Sequence, residues 1–328
     1  MQLADHFGVL LRDTVNLSQG RLDLLETRVD SIYAAIRADA GFGAHVTGKS
    51  PQGSWAHRTI INPVGDKEYD ADFMLLMEDV DGWTPRDYLT KLNSVLGSHS
   101  TYGAMPRERK NRCVRIVYAN QCHIDIVPSI IRGGLEYIAN YDTDTWERTD
   151  PQGFTDWMKS KDSAARGDLR RVIRLTKYLR DHKNSFTGTR SVILTTLLGE
   201  QVSEARAAID PSYYSNVPTS LLHIVSDLDD WLQARPNRPS IADPSGSGIT
   251  FDHRWDDGTY KYFRDRIHAH AREIREAYES DDYDESLKLW QGIFGAGFVA
   301  PKDDKSSGRF GPTAATAGAS AGLSGRAG

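Results

Sequence analysis

Cysteine is nearly absent: Cys113 and Cys122 are the only two in 328 residues. Two thiols give neither a disulfide framework nor a four-ligand metal site, and they read as small buried residues in a reducing compartment. Long apolar runs are missing too. None approaches the ~20 residues that a membrane-spanning helix needs, and Met1-Gln2-Leu3-Ala4-Asp5-His6 lacks the basic-then-apolar layout of a secretory leader. Both absences predict a cytoplasmic protein with no membrane partner. The third lack is positive charge. The 40 Lys and Arg against 45 Asp and Glu leave a net charge of −5, which argues against a broad basic face for long nucleic acid and leaves room for a local basic cleft.

What is present is an ordinary globular composition with two halves of different character. Apolar residues at three- and four-residue steps (Leu22, Leu25, Val29, Ile32, Ile36) predict a helix over 16–39, stopped by Gly41-Phe42-Gly43. A short strand over 44–48 leads to the turn Pro51-Gln52-Gly53-Ser54. Strands are predicted over 69–77, 112–118, 121–126 and 135–140, with a helix over 84–96 and a basic loop over 107–112. The strands over 112–118 and 121–126 meet near Ala119-Asn120. From Thr155 onward the pattern is helical, over 168–182, 191–202, 220–234, 259–280 and 285–294. Strands first and helices after predict an α+β fold. A sheet-bearing lobe would span 1–150, a helical lobe 151–300, and an Ala/Gly/Ser/Thr-rich flexible tail 301–328.

Three aspartates carry the chemistry. Asp70 and Asp72 stand at i, i+2 on a strand and so share one face, and Asp125 lies on what reads as a neighbouring strand. Buried carboxylates without partners are costly and raise one another's pKa. A divalent cation resolves that conflict, and an oxygen-only pocket suits Mg²⁺, or Mn²⁺ in its place. Two ions about 4 Å apart would activate a 3′-hydroxyl and steady a triphosphate, with Asp125 placed to help deprotonate the hydroxyl. Read alone, Asp70 is a strand cap and Asp72 pairs with an arginine of the basic loop. Gly53 lets a backbone approach a phosphate and Ser54 adds a hydroxyl, although a Gly-Ser pair by itself means only a turn. Arg170, Arg174 and Lys177 share a helix face that is either solvated or a counter-charge to phosphate. Arg107, Arg109, Lys110 and Arg112 leave the same choice open.

Together these residues resemble the polymerase-β-type nucleotidyltransferase superfamily, and within it the bacterial CD-NTases, the cGAS/DncV-like enzymes of antiphage defence. The likeness is carried by Gln52-Gly53-Ser54 with Arg58-Thr59 and Asn62-Pro63, by 69–76, by Ile124-Asp125-Ile126-Val127-Pro128, by the helix around Lys177, and by the segment 285–295 around Trp290. The resemblance implies a polymerase-β-like lobe with a mixed or antiparallel sheet beside a C-terminal helical lobe. It implies metal-binding, catalytic Asp70, Asp72 and Asp125, and a nucleotide site of Gln52, Gly53, Ser54, Lys177 and Ser191. The activity implied is joining of NTPs, ATP among them, into a cyclic di- or trinucleotide that a downstream effector reads. The alternatives are a linear oligonucleotide synthase, a template-independent transferase acting on RNA, protein or a small molecule, and an inactive scaffold, against which the intact aspartate set argues. Where relatives carry a base-stacking aromatic after the serine, this chain has Val192, with Tyr213 and Tyr214 as substitutes or as packing residues. Some relatives are conjugated through their last residue by a ubiquitin-transfer-like partner, which would here be Gly328.

Overall fold

A computed structural model describes residues 1–119 and 122–302. The tail and Gly328 lie outside the described residues. In chain order the elements are α1 (Ala4–Leu10), α2 (Gln19–Arg37), β1 (Val46–Gln52), α3 (Gly53–Ala56), β2 (Tyr69–Met77), α4 (Pro85–Ser98), β3 (Arg107–Arg109), β4 (Val114–Tyr118), β5 (Cys122–Arg132), β6 (Leu135–Asn140) and β7 (Thr145–Thr149). Helices α5 (Pro151–Ala164), α6 (Leu169–His182), α7 (Ser191–Glu200), α8 (Glu204–Ile209), α9 (Val217–Gln233), α10 (Asp257–Glu279) and α11 (Tyr283–Phe294) follow. The α+β architecture is the one expected.

The sheet runs β1-β2-β5-β4-β3, with β6 on the far end of β5 and β7 on β6. It is mixed: β2 and β5 are parallel, while the other pairs are antiparallel. One face is covered by α2, through Leu25, Val29, Ile32 and Ile36, and by α4, through Tyr88, Leu89, Leu92 and Leu96. Local chemistry fixes where these helices begin. Ser18 accepts from the Arg21 N–H at the start of α2, and Thr84 with Asp87 forms a reciprocal capping box before Pro85 at the start of α4.

Strand β5 continues six residues past the expected end at Ile126, straight through Pro128. A proline is tolerated in this central strand because β4 stops pairing at Ile126 and β6 begins only at Ser129, so that edge asks for no N–H at Pro128. The expected basic loop contains β3, a three-residue edge strand. Its charges mask the alternation and also guard an open edge.

Among the described residues two large hydrophobic clusters form, beside a small third one of Met74, Cys113 and Val127. The first lies between the sheet and α2/α4. The second holds the helices from α5 onward together with Phe7, Leu10, Leu11 and Val15. Helix α1 is absent from the sequence reading. It docks on the last helix: Phe7 meets Trp290 edge-on at 4.9 Å, and both are fully buried. We therefore propose a sheet lobe of about 16–150 and a helical lobe of 151–300 to which residues 4–15 belong. Among the described residues no helix is long and apolar enough to cross a membrane.

Candidate active site

Alternation along β2 decides where the acids point. Tyr69, Ala71, Phe73, Leu75 and Met77 are buried in the sheet–helix core, so Asp70 and Asp72 emerge on the opposite face and line the cleft toward the helical lobe. Parallel pairing sets Asp72 directly beside Asp125, and Asp70 beside His123. Antiparallel pairing adds Gln52 on the other side of Asp72. Arg115 stands across from Asp125, with Glu108 beyond it. The result is one polar row across five strands, Gln52-Asp72-Asp125-Arg115-Glu108.

Asp72 is the strained member. Burial, then the charges of Asp70 and Asp125, push its carboxyl well above the usual carboxylate range, with Arg115 and Lys177 opposing. Asp125 is 7% exposed and is held by Arg115, whose Nε and Nη2 each donate to one carboxylate oxygen at 2.7 Å. An arginine does meet the acid cluster, then, but from β4 and at Asp125. Those of the basic segment are committed elsewhere: Arg107 to Asn93 and the Tyr102 carbonyl, Arg109 over the Tyr141 ring, and Arg112 to Glu147.

Gly53 closes the turn with φ +61°, in the left-handed region, and a Cβ there would lie 2.7 Å from Asp72 Oδ2. Helix α3, which opens at Gly53, is a single turn, and Arg58 just beyond it also takes a positive φ of 57°. The basic stripe of α6 meets this turn. Arg170 donates to the His57 carbonyl at 2.9 Å, Arg174 to the Arg58 carbonyl at 3.2 Å, and Lys177 to the Thr59 carbonyl at 3.0 Å. Three cations at i, i+4 and i+7 thus hold three successive carbonyls, so the stripe ties the two lobes together and is not a solvated face.

Lys177 is 5% exposed and lines the cleft with Gly53, Ser54, Asp70, Asp72 and Ser191. Burial and then Arg180 pull its ammonium down to about 8, against Asp70 and Asp181. His57 falls to about 4 through burial, Lys177 and Arg170, and so is neutral at physiological pH. The cleft holds ≈ 270 Å³, just under the ~300 Å³ lower end of small-molecule sites. Ser191 Oγ accepts from Arg180 at 3.3 Å, and Val192 lines the same wall. Tyr213 stacks on His223, and Tyr214 is buried with its hydroxyl on the Ser203 N–H, so both are packing residues. Sequence reasoning missed Arg115, Arg180 and the bridge from Lys67 to Asp181 at 2.8 Å across the cleft. It also missed the wall where His57 stacks on Phe154 at 4.8 Å.

The donor set is oxygen-only and carries a like-charge conflict at Asp72 that Arg115 and Lys177 offset only in part, which fits a hard divalent cation in kind. Among the described residues no three His, Cys, Asp or Glu side chains converge as a ready-made cage. Asp125 is turned to Arg115.

An anionic ligand at Lys177 would raise the ammonium's pKa, so binding above pH 8 takes up a proton. For NTP use, kcat/KM is expected to be flat below about pH 8 and to fall up to about tenfold per unit above it. Lys177→Arg should flatten that limb. Lys177→Met should raise KM roughly 10–100-fold, matching a charge-assisted hydrogen bond of about 1.5–3 kcal/mol. Steady-state rates from pH 6.5 to 9.5 check both.

Residues 1–162 match the family described as the Second Messenger Oligonucleotide or Dinucleotide Synthetase domain, SMODS. The chain is similar to a c-di-GMP synthase of Roseivirga ehrenbergii, 24% identical over 319 residues covering 87% of this chain and 82% of the relative. It is also similar to a cyclic AMP-AMP-AMP synthase of Acinetobacter sp., 22% identical over 261 residues covering 78% and 74%. In fold it is similar to the Vibrio cholerae DncV cyclic AMP-GMP synthase solved with a nonhydrolyzable GTP. That match has a TM-score of 0.73 at 16% identity and covers 90% of this chain and 96% of the other.

Proposed function

We propose that the chain, which carries a SMODS-domain match over residues 1–162 and is similar to cyclic-oligonucleotide synthases, is a bacterial CD-NTase that joins NTPs into a cyclic di- or trinucleotide with release of pyrophosphate. The product is a second messenger in antiphage defence, read by a separate effector. What carries the reading is the placement of Asp70, Asp72 and Asp125 on adjacent, in-register strands, with the Gly53-Ser54 turn at one side and Lys177 across the cleft. The relatives' products, c-di-GMP and cyclic AMP-AMP-AMP, support cyclisation and leave ring size between two and three units.

In the proposed reaction the donor NTP lies along the cleft, with Ser54 and Ser191 offering hydroxyls to its phosphates and Lys177 its ammonium. Asp70, Asp72 and Asp125 would hold Mg²⁺, which when bound supplies charge neutralisation at the triphosphate and acidifies the attacking 3′-hydroxyl. Asp125, buried beside Asp72 in the middle of the row, is placed to accept that hydroxyl's proton. The new 3′ ester bond forms at the α-phosphorus as the bond to pyrophosphate breaks, and the last such attack, the second for a dinucleotide and the third for a trinucleotide, closes the ring. The Arg170/Arg174/Lys177 ties keep the donor turn seated on α6 throughout, and neutral His57 on Phe154 walls off the cleft.

Purified protein incubated with Mg²⁺ and all four NTPs, then treated with phosphatase, is expected to yield pyrophosphate and a phosphatase-resistant product whose mass is that of a cyclic di- or trinucleotide. Phosphatase-sensitive linear products alone would overturn cyclisation and favour the linear synthase, and no NTP consumption would overturn the enzyme reading. Product made with no added metal and excess chelator would remove Mg²⁺ from the scheme.

A further inference from the structure

The Arg115–Asp125 contact is unlike the other ion pairs near the cleft. It joins directly opposed residues of β4 and β5, both oxygens of the carboxylate are engaged at 2.7 Å, and the Asp125 side chain is about one-tenth exposed. Asp72, the next residue in the row, has only like charges beside it on β2 and β5. The row thus neutralises its third acid and leaves its second in conflict. A side-on guanidinium fork takes one lone-pair position on each carboxylate oxygen. A hard cation bridging Asp72 and Asp125 would need those oxygens turned toward Asp72, and would set a double positive charge beside the guanidinium, where like charges repel strongly at low dielectric. The fork and the cation therefore compete for Asp125.

We propose that Arg115 is a latch on Asp125: it holds and neutralises the third carboxylate while the site lacks its cation, and releases it when a divalent cation enters with the triphosphate. This rests on the reading of Asp70, Asp72 and Asp125 as the cation site. Arg115 is a positioning residue on this account. It lowers the electrostatic cost of the empty acid cluster and sets the cation level at which the site becomes competent. A permanent brace would behave oppositely, since removing a brace leaves Asp125 disordered and weakens cation binding.

The test is direct titration with Mn²⁺, following free ion by electron paramagnetic resonance, with and without α,β-methylene-ATP, on the full chain. Arg115→Gln is expected to tighten Mn²⁺ binding about tenfold, within the usual range of coupling between two sites. It should also lower the metal-free Tm and enlarge the Tm rise on adding Mn²⁺. Arg115→Lys, which keeps the charge and loses the fork, should tighten it about threefold and serves if the glutamine variant does not fold. Unchanged or weaker Mn²⁺ binding in a folded variant overturns the latch alone. If the wild type binds no Mn²⁺ in either condition, or Asp72→Asn binds it as well as the wild type, the cation reading of the three aspartates falls and the latch with it.

Discussion

Asp72→Asn is expected to abolish nucleotide joining and, in the same protein, to raise the metal-free melting temperature. The two effects share one cause. Asp72 sits on the cleft face of β2 between Gln52 and Asp125, two residues from Asp70, and its carboxyl is pushed up by burial and by both acids. Folding therefore binds its proton more tightly than the unfolded chain does. Ionising it subtracts stability at pH values above the ordinary carboxylate value of about 4, and the penalty vanishes below that. Asparagine removes the charge and keeps the shape. The Tm advantage of the variant should be clear at pH 7 and should shrink as pH falls toward about 4, which differential scanning across that range would reveal. Activity moves the other way. Losing a carboxylate that holds a catalytic cation forfeits several kcal/mol of charge stabilisation, on the order of a thousandfold in rate at about 1.4 kcal/mol per decade. A variant that loses activity and also melts lower would place Asp72 as a structural residue. One that keeps activity would take it out of the site.

Such a trade of stability for function is where the sequence was most legible. An aspartate pair inside an apolar strand contradicts local preference, and contradictions of that kind mark sites. Residues 69–77 and 135–140 are strands with the ends expected, and α6 and α7 begin within one residue of expectation. The lysine helix read correctly as a stripe, but its targets did not, because the His57, Arg58 and Thr59 carbonyls carry no side-chain signature. Arg115 was hidden by a single residue of register. A turn at 119–120 would set residue 118 against 121 and Arg115 against Ile124. The observed pairing of Tyr118 with Cys122 sets Arg115 against Asp125, and a one-residue slip moves every cross-strand partner. Helix α1 escaped because its apolar residues, Phe7 and Leu10, join the cluster that holds Trp290 at the other end of the chain. β7, short and half-exposed, and α8, short and with no buried residue, carry too little periodicity to read.

Gly53→Ala is expected to cut activity about a hundredfold while costing only modest stability, and Gly133→Ala is the comparison that shows why. Both glycines hold nearly the same left-handed backbone, φ +61° and +60°. An alanine at either one carries a backbone cost of roughly 1–2 kcal/mol. Around Gly133, at the tip of the β5–β6 hairpin, an added Cβ meets nothing within 4 Å; at Gly53 it would sit 2.7 Å from Asp72 Oδ2. That contact must be relieved by turning the Asp72 carboxylate away or by lifting the turn that carries Ser54. Either movement separates the phosphate-binding turn from the acid row, and a displacement of about 1 Å in a reacting geometry is enough for about 10²-fold. The two variants should therefore lose similar Tm, while Gly53→Ala alone loses rate and Gly133→Ala keeps it. Equal rates in the two would mean that only backbone strain matters at Gly53, and that its close approach to Asp72 has no part in the chemistry. A loss confined to KM would point to the triphosphate as what the turn holds, and a loss in kcat to the alignment of the acid row.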